Sequence, residues 1–178
     1  MNWPKFNKIL NILLIVIIAG YIFNFFYRLP KFDSGEKAKD FNVTLADGDS
    51  FALSQLRGRY VLLDFWGSWC GPCRKESPEL TALYKETKDK TYINASGFDI
   101  VSVAIETKKE NWDNARQKDG HVWKFQIGEF DRFSSPIATL YGVREIPTKY
   151  FISPEGLILM VNPTFSEIKS YLLDKEEK

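Results

Sequence analysis

The stretch that decides the fold is "YVLLDFWGSWCGPC", residues 60–73. Its first half is a nearly continuous apolar run with a single acid, Asp64, which predicts a central β-strand covered on both faces. Its second half holds the only two cysteines of the chain, Cys70 and Cys73, separated by two residues. Apolar positions then recur at helical spacing to about Lys88, so the cysteines are predicted to lie where a strand passes into an amphipathic helix.

This position gives the two cysteines a definite chemistry. If Cys70 caps the helix, unpaired backbone N–H groups and the positive end of the helix dipole stabilise its thiolate, so Cys70 is the expected nucleophile. Cys73 follows one helical turn later and is the expected resolving thiol, because it can attack a mixed disulfide formed on Cys70. Pro72 suits the first helical turn, and Gly71 is expected to let the backbone turn tightly.

Metal and cofactor sites fit the sequence less well. Zinc would require four Cys or His ligands, but the chain has two cysteines and one histidine, His121, which is distant in sequence. Covalent haem attachment requires His directly after the second cysteine, where Arg74 stands, and an iron–sulfur cluster lacks ligands as well. The sequence therefore predicts no metal and no cofactor, and His121 is expected to be a loop or surface residue.

The rest of the chain predicts an α/β domain with a mixed sheet. Asp-Gly at residues 47–48 lies between two short apolar runs and predicts a β-hairpin. Residues 98–106 form a second buried strand, and residues 148–153 and 157–161 form a second hairpin. The remaining helices are predicted at residues 108–120, 135–143 and 166–175.

Residues 9–27 form an apolar run long enough for a membrane-spanning helix, since 19 helical residues reach roughly 28 Å. A core helix would show a polar face, and a cleaved signal would end in small residues rather than in an aromatic cluster. Both alternatives are therefore disfavoured. The predicted organisation is an anchor at residues 1–29, a polar linker at 30–37 and one domain at 38–178.

The composition excludes several classes of protein. The chain is 44% hydrophobic and 26% charged, and its formal net charge is +1, which implies no basic surface for nucleic acid. Two cysteines make at most one disulfide, so the chain is not a small secreted domain held by several bridges.

The segment "LLDFWGSWCGPC" resembles the active-site segment of thioredoxins. The leading residues 40–66, the later "LYGVREIPTKYFISPEG" and the anchor are similar to the membrane-tethered TlpA/ResA-like branch. The resemblance implies a thioredoxin fold with an added N-terminal β-hairpin and a redox disulfide between Cys70 and Cys73. It also implies an extracytoplasmic, periplasmic domain that exchanges disulfides with protein substrates and receives electrons from a membrane or soluble thiol donor. Apocytochrome c, and hence cytochrome c maturation, is a candidate at the family level.

The same resemblance assigns roles around the cysteines. Asp64 is expected to be buried, with a raised pKa, and to shuttle the proton of Cys73, unless it is a solvated acid at the strand end. Pro147 matches a cis-proline beside the cysteines, which leaves the backbone of Ile146 free to pair with substrate. Glu76 matches a glutamate that the ResA-like group places near its cysteines; an exposed helix acid is the competing interpretation.

Trp69, Gly71 and Pro72 are predicted to contact substrate, while packing around the motif is the commoner role of such a tryptophan. Two other functions compete with disulfide exchange. A thiol peroxidase would carry Thr three residues before the reactive cysteine, where this chain has Gly67. A non-enzymatic interaction module would need neither thiol. Gly-Pro between the cysteines and Asp at position 64, as in reducing cytosolic thioredoxins, favour a reductant.

Overall fold

The computed structural model describes residues 3–177, with side chains from residue 7 onward. Its α-helices are α1 Trp3–Arg28, α2 Gly71–Thr87, α3 Lys109–Lys118, α4 Pro136–Tyr141 and α5 Phe165–Asp174. Its strands are β1 Asn42–Thr44, β2 Ser50–Ala52, β3 Tyr60–Trp66, β4 Phe98–Ile105, β5 Phe125–Glu129, β6 Thr148–Ile152 and β7 Ile158–Val161. Short 3-10 turns cover Leu53–Leu56 and Arg132–Ser134.

The central sheet has the strand order β5-β4-β3-β6-β7. Strands β3, β4 and β5 run parallel, while β6 and β7 are antiparallel to their neighbours, so the predicted mixed sheet is confirmed. All seven residues of β3 are buried, which is why its sequence reads as one apolar run. Strand β5 was not predicted, because Gln126 and Gly128 interrupt its short apolar pattern.

Alternate residues of β3 face opposite layers of the core. Val61, Leu63 and Phe65 belong to one apolar cluster, whereas Leu62 packs with Leu80 of α2 in the other. Asp64 has the same parity as Leu62 and Trp66, and therefore points to the face that α2 and α5 cover. The strand register thus places Asp64 on the side of the sheet where α2 and the cysteines lie.

The predicted hairpin is formed by β1 and β2, with Val43 paired to Phe51. Gly48 takes a φ of +95° in the turn, a conformation that glycine adopts without steric cost. The backbone N–H of Ala46 donates to the carbonyl oxygen of Gln126 over 2.9 Å, which joins the hairpin to the edge strand β5.

Helix α1 is long and apolar enough to cross a membrane over Asn7–Arg28, with a mean hydropathy of 2.5. None of this stretch is buried against the protein, so the interpretation as a core helix is wrong. Length, composition and exposure are those of a single membrane-spanning anchor.

The segment predicted as a linker, residues 30–37, packs on the domain. Phe32 is only 4% exposed and its ring centroid lies 5.4 Å from that of Tyr141. Lys37 pairs with Leu157 at the start of the last hairpin strand. At the end of α1, Arg144 donates to the carbonyl oxygen of Tyr27 over 2.7 Å. The boundary at residue 38 remains a prediction, but its flanking segment is held by specific contacts.

Candidate redox centre

The two cysteines lie at the N-terminus of α2 and form a disulfide. Cys70 is the N-cap residue, with extended backbone, and its Sγ accepts a hydrogen bond from the backbone N–H of Cys73 over 3.2 Å. Both residues are buried, at 4% and 5% exposure. A sulfur in this position receives an N–H donor that a helix otherwise leaves unpaired, which is the arrangement that stabilises a thiolate.

Gly71 and Pro72 form the exposed surface above the disulfide. Pro72 lies in the first helical turn, as predicted. The expected steric reason for Gly71 is wrong, because Gly71 is not among the residues with positive φ and a Cβ there would meet nothing within 4 Å. Its effect is instead to leave the approach to the disulfide free of a side chain.

The loop before the cysteines is held from below by Glu106, which is 1% exposed. Its carboxylate accepts hydrogen bonds from the backbone N–H of Ser68 and from the Ser68 hydroxyl, the latter over 3.0 Å. Trp69 is 46% exposed, while its Nε1 donates to the carbonyl oxygen of Ile105 over 2.7 Å. Trp69 therefore presents a fixed apolar face beside the disulfide.

The Ile146–Pro147 peptide bond is cis, as the family resemblance implies. The carbonyl oxygen of Ile146 lies 3.7 Å from Sγ of Cys70. Among the described residues, no hydrogen bond uses the backbone N–H of Ile146. This residue precedes β6, and its backbone N–H is unpaired directly beside Sγ of Cys70.

Asp64 is buried, at 4% exposure, so the alternative of a solvated acid is wrong. Burial raises the pKa of Asp64 to about 7; Lys149 opposes this rise, and Glu76 adds to it. Asp64 and Cys73 line one small cavity of about 10 Å³ together with Pro147. This is close to the least space that a water molecule requires. The carboxyl group thus changes charge near neutral pH, close to the second cysteine.

Glu76 is not a free surface acid. Its carboxylate accepts a hydrogen bond from Nζ of Lys149, whose side chain is 6% exposed while that of Glu76 is 39% exposed. Lys149 is also the partner of Asp64 across β3 and β6, so one lysine is adjacent to both acids.

His121 lies in the loop after α3, as one of its two expected positions, but the alternative of a surface residue is wrong. His121 is 6% exposed, and its ring lies between Trp66 and Trp123, at centroid distances of 4.5 and 4.6 Å. Its Nε2 is 3.1 Å from Oγ of Ser77. Burial lowers the pKa of His121 to about 4, so the ring is neutral at pH 7. It lines the same cavity as Asp64 and Cys73.

Lys149, Glu106 and His121 were missed as parts of the site. Lys149 had a signal in the sequence, since "TKYFIS" is an otherwise apolar strand with one charge, as is the strand around Asp64. Glu106 and His121 had none, because their contacts join segments that are 30 to 50 residues apart. Across the described residues, no group of three or more His, Cys, Asp or Glu side chains could hold a metal ion.

Known proteins are similar to this chain in sequence and in fold. The sequence profile of the AhpC/TSA family matches residues 34–161. The thiol-disulfide oxidoreductase ResA of Bacillus subtilis is 33% identical over 85% of this chain and 80% of its own length. That of Bacillus cereus is 29% identical over 94% of this chain and 96% of its own. A thiol-disulfide oxidoreductase from Bacteroides fragilis superimposes with a TM-score of 0.68 and 30% identity, covering 78% of this chain and 98% of the other.

The chain is a ResA-like member of the AhpC/TSA family. The ResA-like protein has a thioredoxin-like fold and is a thiol–disulfide oxidoreductase, with the Cys70–Cys73 pair as its redox centre. Such an enzyme exchanges disulfides with substrates and needs a thiol donor.

Proposed function

We propose that this ResA-like oxidoreductase is a membrane-tethered reductant for disulfides in extracytoplasmic proteins. The observation that carries the proposal is the buried carboxyl group of Asp64, which shares a cavity with Cys73 and has its pKa raised to about 7. A reductant must deprotonate its second thiol to release the substrate, and a group that titrates near the working pH is suited to accept that proton.

The reaction follows from the positions of the groups. An extended substrate segment pairs with the backbone of Ile146, and the Cys70 thiolate attacks the substrate disulfide, so that one substrate sulfur leaves as a thiolate. Asp64 then accepts the proton of Cys73, and the Cys73 thiolate attacks Sγ of Cys70. The Cys70–Cys73 bond forms, the bond to substrate breaks, and the second substrate sulfur is released and protonated. A thiol donor returns two electrons to the disulfide.

The tether supports a substrate on the far side of the membrane. The basic start of the chain followed by an apolar run is typical of a segment that leaves its N-terminus inside the cell. The domain then lies outside, where protein disulfides persist. Apocytochrome c, which carries a cysteine pair, is the substrate class that the family resemblance suggests.

Trapping of substrate tests this proposal. In the C73S variant, the mixed disulfide on Cys70 cannot be resolved, so substrate proteins should remain covalently bound to the enzyme in intact cells. The C70S variant is the matched control and should trap far less. Trapped proteins that are extracytoplasmic support the proposal; a C73S variant that traps nothing, or only cytoplasmic proteins, contradicts it.

The peroxidase alternative meets a steric obstacle at Gly67. A Cβ at this position would lie 3.0 Å from the Ile146 side chain, 3.0 Å from Nε1 of Trp69 and 3.2 Å from the carbonyl oxygen of Ile105. The threonine that a peroxidase of this kind carries would require these neighbours to shift by a few tenths of an ångström. An interaction module without chemistry predicts that the variant with both cysteines changed to serine keeps full function, and we expect that variant to have none.

A further inference from the structure

Lys149 occupies a position where a charged side chain is costly. It lies in the interior strand β6 and is 5% exposed. Because it is directly opposite Asp64 in the antiparallel pair of β3 and β6, both side chains point to the same face of the sheet. Burying an ammonium group without partners costs several kcal/mol, so such a lysine persists only where it is paired.

Its polar partner is Glu76, one helical turn after Cys73. Nζ of Lys149 donates to Oε2 of Glu76 and lies 4.8 Å from the centre of the Phe165 ring. Two acids and one base therefore lie on the same face of the sheet, with a net charge of −1 when Asp64 is ionised and zero when it is protonated. These three side chains can therefore bind one further proton besides the one that gives Lys149 its charge.

The groups around Asp64 come from every element packed on this face. They are Lys149 of β6, Cys73 and Glu76 of α2, Ser102 of β4, His121 of the loop after α3 and the apolar Phe165 of α5. His121 is held neutral by burial, and in the oxidised protein Cys73 does not titrate. Lys149 and Glu76 are therefore the charges that act on Asp64.

We propose that Lys149 is a positioning residue of the redox centre, which pairs with the carboxylate of Glu76 and faces Asp64, so that Asp64 is the carboxyl group that exchanges a proton with Cys73. Without Lys149, the charge of Glu76 would act on Asp64 with no opposing charge nearby, and the pKa of Asp64 would rise further. With Lys149 bound to Glu76, this rise is limited. This inference rests on the proposed function for its use in the resolving step.

The proton balance of that step defines the part of Lys149. Asp64 takes the proton of the Cys73 thiol and becomes neutral, while Cys73 becomes the thiolate that attacks Cys70. One negative charge therefore moves from the acid to the sulfur, and Lys149 remains cationic throughout. Its charge therefore acts on the carboxylate of Asp64 before the proton is transferred.

The test is the titration of Asp64 in the oxidised full-length protein in detergent micelles, followed by ¹³C NMR of its carboxyl group. In the K149M variant, which keeps the length of the side chain but not its charge, we expect the midpoint to rise by about one pH unit or more. The K149R variant keeps the charge and should move the midpoint by less than about 0.3 pH units. The matched control is K169M, which removes a lysine from an exposed pair with Glu86 and should leave the midpoint unchanged.

A folded K149M variant whose midpoint is unmoved or lowered would overturn the proposal. If K149M does not fold, the E76Q variant decides, because the glutamine amide oxygen can still accept the hydrogen bond of Lys149. E76Q leaves Lys149 to act on Asp64 alone, so the midpoint should fall; a rise or no change would refute the assignment. The titration uses the disulfide form and does not depend on the direction of electron flow. Failure here and failure of substrate trapping are therefore distinguishable.

Discussion

At the scale of single residues, the redox centre has charged side chains within a layer that is otherwise buried and apolar. Asp64 and Lys149 stand in strands whose other residues are those of a core, and each is at most 5% exposed. Proteins keep such residues against the cost of desolvation mainly where function uses them. The raised pKa of Asp64 and the lowered pKa of His121 make this cost measurable.

The D64N variant should be more stable than the wild type at alkaline pH. The folded-state pKa of Asp64 is raised from 3.8 to about 7, so its contribution to stability is fully present below pH 3.8 and is lost as the pH rises through 7. An uncharged amide avoids this loss. We expect D64N to raise the free energy of unfolding by about 3 kcal/mol at pH 8, with the gain declining between pH 7 and 4. Urea unfolding at a series of pH values measures it.

The same variant should be a poorer enzyme, because Cys73 loses its proton acceptor. We expect turnover in disulfide reduction to fall by roughly 100-fold at pH 7, the scale of one general base. A variant that is both more stable and less active is the expected signature of a functional buried acid. Full activity in D64N would contradict the role of Asp64 as proton acceptor.

His121 should produce a pH dependence of opposite sign. Its folded-state pKa is lowered from 6.5 to about 4, so stability is unaffected above pH 6.5 and is lost as the pH falls toward 4. The loss should reach about 2–3 kcal/mol. His121 is the only histidine of the chain, so comparing H121Q with the wild type by urea unfolding isolates it. Equal slopes between pH 6.5 and 4 in the two proteins would count against a buried neutral ring.

At the scale of secondary structure elements, the register of β3 brings the site together. It pairs Asp64 with Ser102 of β4 on one side and with Lys149 of β6 on the other. A slip by one residue would turn Asp64 to the opposite face of the sheet, away from α2. The start of α2 positions the sulfurs, because Cys70 is the N-cap of this helix and both cysteines are thereby fixed relative to the end of β3.

Another element-level contact concerns the segment between the anchor and the domain. We propose that this segment is part of the folded unit from Phe32 onward. The F32A variant should lower the free energy of unfolding by about 3 kcal/mol, because a large aromatic side chain is lost from a buried site beside Tyr141 and Tyr150. Tryptophan fluorescence during denaturation in detergent measures the loss. The control is F130A, because Phe130 is 38% exposed and its loss should lower the free energy of unfolding by less than half as much. Equal effects of the two variants would indicate that the segment is a linker.

At the scale of the whole molecule, the sequence predicted the strands, helices and hairpins that have a local pattern, and the fold class followed from their order. The apolar run of β3, the helix after the cysteines, both hairpins and the apolar N-terminal helix each have a local signature in the sequence. Strand β5 and the burial of His121 have none, because they depend on pairings between segments far apart in the chain. The family motif predicted that Cys70, Cys73 and Pro147 lie together, and their roles stay predictions. Lys149 was missed, because its position beside Asp64 depends on the strand register.

The anchor and the redox centre are also close in the whole molecule. The guanidinium of Arg144 lies 3.8 Å from the centre of the Tyr27 ring at the end of α1, and Arg28 pairs with Glu145 over 3.6 Å. Arg144 and Glu145 directly precede Ile146 and Pro147. The end of this candidate membrane helix therefore contacts the residues that lead into the Ile146–Pro147 bond beside Cys70.

The reduction potential of the Cys70–Cys73 pair tests the proposed direction of electron flow most directly. Equilibration of the purified protein with a series of dithiol and disulfide buffers, followed by quantification of free thiols, gives the value. A reductant should have a potential near that of thioredoxin, about −270 mV. A value near about −120 mV, that of a strong oxidant, would contradict the account.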